Sequence, residues 1–395
     1  MLTTDAVTES RLKIPFHRSA MGEEEVQAVS DVIRSGWLTM GAKTLQFERE
    51  FAQYIGAAHA VAVSSCTAAI HLALDAIGIQ PGDEVLVPTN TFTATAEVVT
   101  YMGARPVLVD IDEGTLNIST SDAEQKITSR TRAIIPVHFS GLPCDLDEIH
   151  ALAKIHDLHV IEDAAHALPS SYRGGRVGKI GELTAFSFYA TKPLSTGEGG
   201  MITTENETYA RRIRLMRQHG ISRDAWERYG EEGSWRYEVL EPGFKYNFTD
   251  LQAALGVVQL AKCDAMLQAR RQIARKYTQA FQSIEAVETP VTHTDRESSW
   301  HLYVLRLQAD RLRINRSQFI GELAKRGVQA SVHFIPLHLQ PAYQKLFGYK
   351  EGDLPVSERE YCRCLSLPIY PTMSETEVQY VISSVGDVVD IFARS

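Results

Sequence analysis

The chain has 395 residues, enough for a large core and about two domains. Apolar residues make up 44% and charged residues 23%, the balance of an ordinary globular protein and not of a disordered or membrane-embedded one. A formal net charge of -9 argues against broad binding to nucleic acid or to an anionic membrane.

The N-terminal stretch MLTTDAVTESRLKIPF has no apolar h-region, so no signal peptide is expected. GEEEVQAVSDVIRSG then reads as an amphipathic helix closed by Gly36, and LQFEREFAQYIG as a second helix. From there strands and helices alternate. AVAVSS, EVLVP, PVLVD, RAIIPV and HVIED are short apolar strands; TAAIHLALDAIG, FTATAEVVTYMG, SDAEQKI and DLDEIHALAKIHD are the helices between them. This order implies an α/β fold, a mostly parallel sheet with helices on both faces, with ligands bound beyond the C-terminal strand ends. Near residue 181 the rhythm changes: LTAFSFY and GGMITT read as neighbouring strands, followed by a helix over ENETYARRIRLMRQHG. Residues 221–243 are irregular. A long helix is expected from Thr249 toward Ser283, joining a large domain, 1–255, to a smaller α+β domain, 256–395. In the smaller domain WHLYVLRL and VQASVHF read as strands, and NRSQFIGELAKRG, SEREYCRC and SETEVQYVISSV as helices.

The five cysteines are scattered and form no CxxC pair, so they read as reduced thiols of a cytoplasmic protein. HExxH is absent, and no metal site is expected. The chemistry lies elsewhere. A strand ends at Ser64-Ser65 and a helix starts near Thr67, and free N–H groups at a helix start suit a phosphate. Neither GxGxxG nor a Walker A lysine accompanies it, which disfavours a dinucleotide or ATP. Asp163 ends the strand HVIED, where a carboxylate meets a ligand; Glu162 is the alternative, since only one of two adjacent side chains faces the site. His166 lies in the following turn. Lys192 sits between FSFYAT and the glycine-rich GEGG, where an amine held at a site edge can lose its proton and attack a carbonyl.

A phosphate cradle, a strand-end acid and a loop lysine together fit pyridoxal 5'-phosphate. Lys192 would join its aldehyde, Asp163 would hold the proton on its pyridine nitrogen, and Phe92 would offer a flat face to its ring. SSCTAAIHLAL, TNTFTATAEVV, PVLVDID, VIEDAAHA, FSFYATKPLSTGEGGMITT and PGFKYNFTDLQAALG also occur in this order. In this the chain resembles the DegT/DnrJ/EryC1/StrS family of pyridoxal-phosphate sugar aminotransferases over roughly residues 13–392. The resemblance implies aminotransferase fold-type I, with a homodimer sharing its active sites. It implies Lys192 as Schiff-base lysine and proton carrier, with Asp163 as the pyridine-nitrogen partner. Thr67, Ala68 and Ser187 would lie at the phosphate, Phe92 on the ring and His166 near the ring hydroxyl, where the family often has Gln. Asn247 would reach the phosphate of the partner subunit, although Thr249-x-x-Gln252 is also a capping box that Asn247 could merely shape. GWLTMGAK, carrying Trp37, and HFIPLHLQPAY, carrying His338, are similar to segments that line the sugar pocket.

By the same resemblance the substrates are glutamate, leaving as 2-oxoglutarate, and a nucleotide-linked ketosugar. Residues 221–248 most resemble the branch that aminates C4 of UDP-linked sugars. The alternatives are a 3-keto-sugar or inosose aminotransferase of the same family, or a catalytically silent cofactor-binding regulator. A related dehydratase type replaces the lysine with histidine, so Lys192 argues against it.

Overall fold

The computed structural model describes residues 12–222 and 236–394. Most of the segment read as irregular, 223–235, therefore lies outside the described residues. In chain order the helices are α1 (Glu23–Ser35), α2 (Ala42–Ile55), α3 (Cys66–Ala76), α4 (Ala94–Tyr101), α5 (Thr120–Gln125), α6 (Leu146–His156), α7 (Glu207–Met216), α8 (Asp250–Phe281), α9 (Arg316–Lys325), α10 (Pro341–Phe347), α11 (Pro355–Arg363) and α12 (Glu375–Phe392). The strands are β1 (His59–Val63), β2 (Glu84–Pro88), β3 (Arg105–Val109), β4 (Thr131–Ile134), β5 (His159–Asp163), β6 (Ser171–Tyr172), β7 (Gly175–Arg176), β8 (Leu183–Ser187), β9 (Gly200–Thr204), β10 (Val287–Glu288), β11 (Arg296–Glu297), β12 (Tyr303–Leu307) and β13 (Cys364–Leu367).

Seven strands form the main sheet in the order β1-β9-β8-β5-β4-β2-β3. The pairs from β8 to β3 are parallel, and β9 is antiparallel to both its neighbours. The strands are buried on both sides, so alternation decides what each side chain meets. Val85, Val87, Ile161 and Ala185 pack on the α3 side, whereas Leu86, Ile134 and Val160 pack on the α6 side. This parity also settles the two adjacent acids. Asp163 follows Ile161 onto the α3 side; Glu162 is fully buried on the other, where its Oε2 lies 2.7 Å from Nε2 of His138.

Helix α8 starts at a capping box, Thr249 with Gln252, and belongs to two cores. Its first half puts Ala253, Leu260 and Cys263 among Phe47, Phe186 and Phe248; its second half puts Ile273, Tyr277 and Phe281 among Tyr303, Leu365 and Val385. The boundary read from sequence at 255/256 falls inside this helix. Two segments cross between the cores. Ile14, near the N-terminus, pairs with Val328 and is buried in the C-terminal core. Leu337, Tyr343 and Leu354 leave the C-terminal part and pack against the α3 side of the main sheet.

One expected strand does not form. VQASVHF makes only single-residue bridges, Val328 to Ile14 and Ser331 to Ser366, because its backbone divides its pairing between two partners. The remaining strands and helices lie where the sequence periodicity put them, with ends shifted by a few residues.

Candidate active site

At the C-terminal ends of β5 and β8, beside the start of α3, a cavity of about 400 Å³ opens. Ser65 caps α3, its Oγ accepting the Ala68 N–H at 3.0 Å. Thr67 lines the cavity in the helix's first turn, where the positive end of the helix dipole lies. Ala68, in the same turn, is buried in the core, and its N–H goes to the Ser65 cap. Glycine is required opposite this turn. A Cβ on Gly200 would stand 2.5 Å from the Ser65 carbonyl carbon, so the GEGG run lets β9 pass directly against the α3 start.

Asp163 is buried at the end of β5. Its Oδ2 accepts the Thr95 hydroxyl at 2.8 Å, and its Oδ1 accepts the Ala165 N–H at 3.0 Å. Thr91 Oγ1 lies 2.8 Å from that of Thr95, and Cys66 Sγ is 3.9 Å from Asp163 Oδ1. The carboxylate is thus held in place while still lining the cavity. Lys192 projects from the loop after β8, its backbone N–H bonded to the Tyr189 carbonyl. Part of its side chain remains open to the cavity, yet protein surrounds it, and desolvation lowers its pKa to about 8 against the opposing pull of Asp163.

His166 lines the same wall and is 5% exposed. Its Nδ1 accepts the Ser140 N–H at 3.3 Å. Burial, with Lys192 and His333 nearby, pushes its pKa well down, so the ring is neutral and carries its proton on Nε2. Phe92 is 60% exposed, its ring 6.1 Å from that of Phe334. Ser187 completes the wall next to Lys192.

Three more expected residues, besides Ala68, do not line this cavity. His338 is fully buried elsewhere, with Nδ1 2.8 Å from the Thr89 hydroxyl and Nε2 2.8 Å from Glu358 Oε1. Both ring nitrogens are occupied, so it secures the 337–354 segment and does not line this cavity. Trp37 donates its indole N–H to the Met40 carbonyl beside Gly41. Asn247 donates to the Phe248 carbonyl and bridges to Val63. Sequence reasoning in turn missed His301, His333, Phe334 and Thr95, all of which line the cavity. For His333 a signal existed: it stands five residues before His338 in the same loop motif, and the outer of the two histidines was chosen.

The model of the DegT/DnrJ/EryC1/StrS aminotransferase family matches residues 19–386. The chain belongs to this family. It is 51% identical over 377 residues to the spore coat polysaccharide biosynthesis protein SpsC of Bacillus subtilis, covering 95% of this chain and 97% of that one. Among solved structures it is similar to the putative sugar aminotransferase Spr1654 of Streptococcus pneumoniae in its PLP form (TM-score 0.90, 34% identity, 96% and 99% of the two chains). The PMP form of the same protein matches equally well, at TM-score 0.90. It is also similar to Helicobacter pylori PseC, an aminotransferase involved in the biosynthesis of pseudoaminic acid (TM-score 0.89, 28% identity, 96% and 100% of the chains). The fold is therefore that of the fold-type I aminotransferases, the cofactor is pyridoxal phosphate, and the activity is that of a sugar aminotransferase.

The residues present fit that cofactor. The α3 start, with Ser65 and Thr67, offers donors at one end of the cavity, and a fixed, deeply buried carboxylate lies on the same side of the sheet. An aromatic face stands uncovered in the wall, and an amine of lowered pKa is within it.

Proposed function

We propose that this sugar aminotransferase moves an amino group from glutamate to a nucleotide-linked ketosugar, at C4 of a UDP-4-keto sugar. The observation that carries the transamination chemistry is Lys192, an amine with a pKa near 8 in the wall of a cavity that also presents Asp163. The C4 position rests on the similarity of residues 221–248 to C4-aminating relatives. The polysaccharide biosynthesis named for SpsC and the sugar aminotransferase named for Spr1654 support a sugar acceptor.

When bound, pyridoxal phosphate supplies an electron sink for the carbon that loses or gains a proton. Asp163 keeps a negative charge where the pyridine nitrogen must stay protonated. Thr67 and Ser187, with the α3 dipole, would hold the phosphate. Phe92 would cover the ring face, and His166 would donate its Nε2–H to the ring hydroxyl. Lys192 Nζ would take the proton from the donor's α-carbon and pass it to the cofactor carbon beside it, and in the second half-reaction it would carry a proton back the other way. A nucleotide handle binds away from that centre and orients the keto carbon.

Trp37 and Asn247 are assigned to the site of a second copy in a homodimer. Neither lines its own chain's cavity, and they lie near one another. Asp250, three residues after Asn247, accepts the Gly41 N–H at 2.8 Å and the Thr44 hydroxyl at 2.7 Å, at the start of α2 beside Trp37. A cytoplasmic location follows from the thiol reading of the cysteines.

The test is a panel of UDP-, dTDP- and GDP-linked 4-keto sugars, 3-keto sugars and free inososes with glutamate, read by mass spectrometry. A mass gain matching replacement of the keto oxygen by an amine is expected for a UDP-4-keto sugar. Efficient turnover of a 3-keto sugar or an inosose over every 4-keto nucleotide-sugar would overturn the substrate assignment. Cofactor binding without amination of any sugar would leave the regulator.

A further inference from the structure

His301, just before β12, lines the cavity and is 7% exposed. Its ring centroid is 4.4 Å from that of His166. His166 and His333 each have a hydrogen-bond partner at Nδ1, from Ser140 and Ser366. The ring of His301 has none among the described residues, and its Nδ1 is sealed from solvent. Such an unpartnered buried group asks for an explanation. A sealed lone pair costs less than a sealed N–H, so the proton belongs on Nε2, the nitrogen left to the cavity.

The surroundings say what that N–H receives. The ionisable groups acting on His301 are His166, Lys192, Arg270 and His333, all basic, and with burial they hold the ring neutral. Arg270 is 1% exposed, donates to the Trp300 and Ile369 carbonyls, and has no ion pair among the described residues. Its charge has no counter-ion of its own among the described residues and acts on His301, where it favours an anion. The phosphate already has the α3 end. No arginine lines the cavity among the described residues, so a guanidinium fork from that wall is not the receptor for a second anion.

We propose that His301 is the binding residue for a carboxylate of the amino donor, donating its Nε2–H in the field of Arg270. This rests on the reading of glutamate as donor and names its subsite. A neutral imidazole there suits a site that must next admit an uncharged sugar ring, since the group that touches the ligand carries no charge of its own when the carboxylate departs.

The probe is glutarate, a dicarboxylate without an amine, titrated into the pyridoxal-phosphate enzyme and followed by calorimetry. The cofactor's visible absorption serves as the check of an intact site. His301→Leu should weaken glutarate about 10- to 100-fold, the range for a hydrogen bond to a charged group. His301→Gln, which keeps an N–H donor, should recover most of that loss. The KM for glutamate should rise in parallel, with kcat nearly unchanged. Glutarate binding equal in wild type and His301→Leu would overturn the proposal, as would a wild-type enzyme that does not bind glutarate. Glutarate binding that depends on His301, in an enzyme that does not transaminate glutamate, would uphold the subsite and overturn the donor assignment instead.

Discussion

The neutral fraction of Lys192 can be tuned through Asp163. An ordinary lysine at about pH 7.4 is neutral about one time in a thousand. With the pKa lowered to about 8, roughly a fifth of the amine is neutral, a gain of about 250-fold in attacking species. Burial lowers the pKa; Asp163 and Cys66 oppose it, and because burial keeps the Cys66 thiol protonated, Asp163 is the charge that counts. Asp163→Asn should therefore lower the lysine pKa further. The assay is stopped-flow absorbance of pyridoxal phosphate joining the cofactor-free protein, across about pH 6 to 10. The rate should rise with a midpoint near 8 in the wild type and below 8 in Asp163→Asn. A wild-type midpoint near the ordinary lysine value, or an upward shift in Asp163→Asn, would refute the reasoning. The same shift has a stability consequence. The folded protein binds this proton less tightly than the unfolded chain, so the buried amine costs stability below pH 8 and ceases to cost it as pH rises from 8 to 10.5. At neutral pH Lys192→Met should thus stabilise the cofactor-free protein by up to about 3 kcal/mol, measured by urea denaturation.

Asp163→Asn should also lower the transamination rate by about 100-fold or more with cofactor retained, whereas Glu162→Gln should act on folding, costing about 3 kcal/mol by breaking the buried pair with His138, read in a urea melt. His338→Ala should lower the melting temperature and leave the KM for the sugar unchanged, because its partners are Thr89 and Glu358. Lys192→Ala and Asn247→Ala subunits, each inactive alone, should regain part of the activity when exchanged into mixed dimers, one site then carrying both lesions and the other neither. Acidification should erode stability between about pH 6.5 and 4, since His17 and His333 have folded pKa values near 4 and must take up protons on unfolding; replacing both with Gln should flatten that slope in a pH series of melts.

Much of the cofactor end was legible because it is built locally. Ser65, Thr67, Asp163 and Lys192 each sit at the end of a strand or in the turn after it, and strand ends show in the hydrophobic pattern. The choice between Asp163 and Glu162 needed only the parity of Ile161, once the α3 side was known. The histidine wall was not legible. His301 and His333 come from the C-terminal part and meet His166 through long-range packing, which no local pattern encodes. Of the two histidines in HFIPLHLQPAY, one turns inward and the other is sealed against Thr89, and their spacing alone cannot tell them apart. Ala68 shows a subtler limit: the sequence places it at the helix start, but not that its N–H goes to the helix's own cap.

The exchange of segments between the two cores sets the order in which the chain can be completed as it is made. Ile14 leaves the ribosome early, yet its pairing partner Val328 follows more than three hundred residues later. The α3 side of the main sheet waits in the same way for Leu337, Tyr343 and Leu354. Until then the part of its apolar surface that α3, α4 and α7 do not cover stays open, so a nascent chain stopped after the seven-stranded sheet is a sticky intermediate and not a finished domain. Neither body is complete without a strip of the other. Release of the full chain, not emergence of the sheet, is the moment at which the cavity acquires its walls.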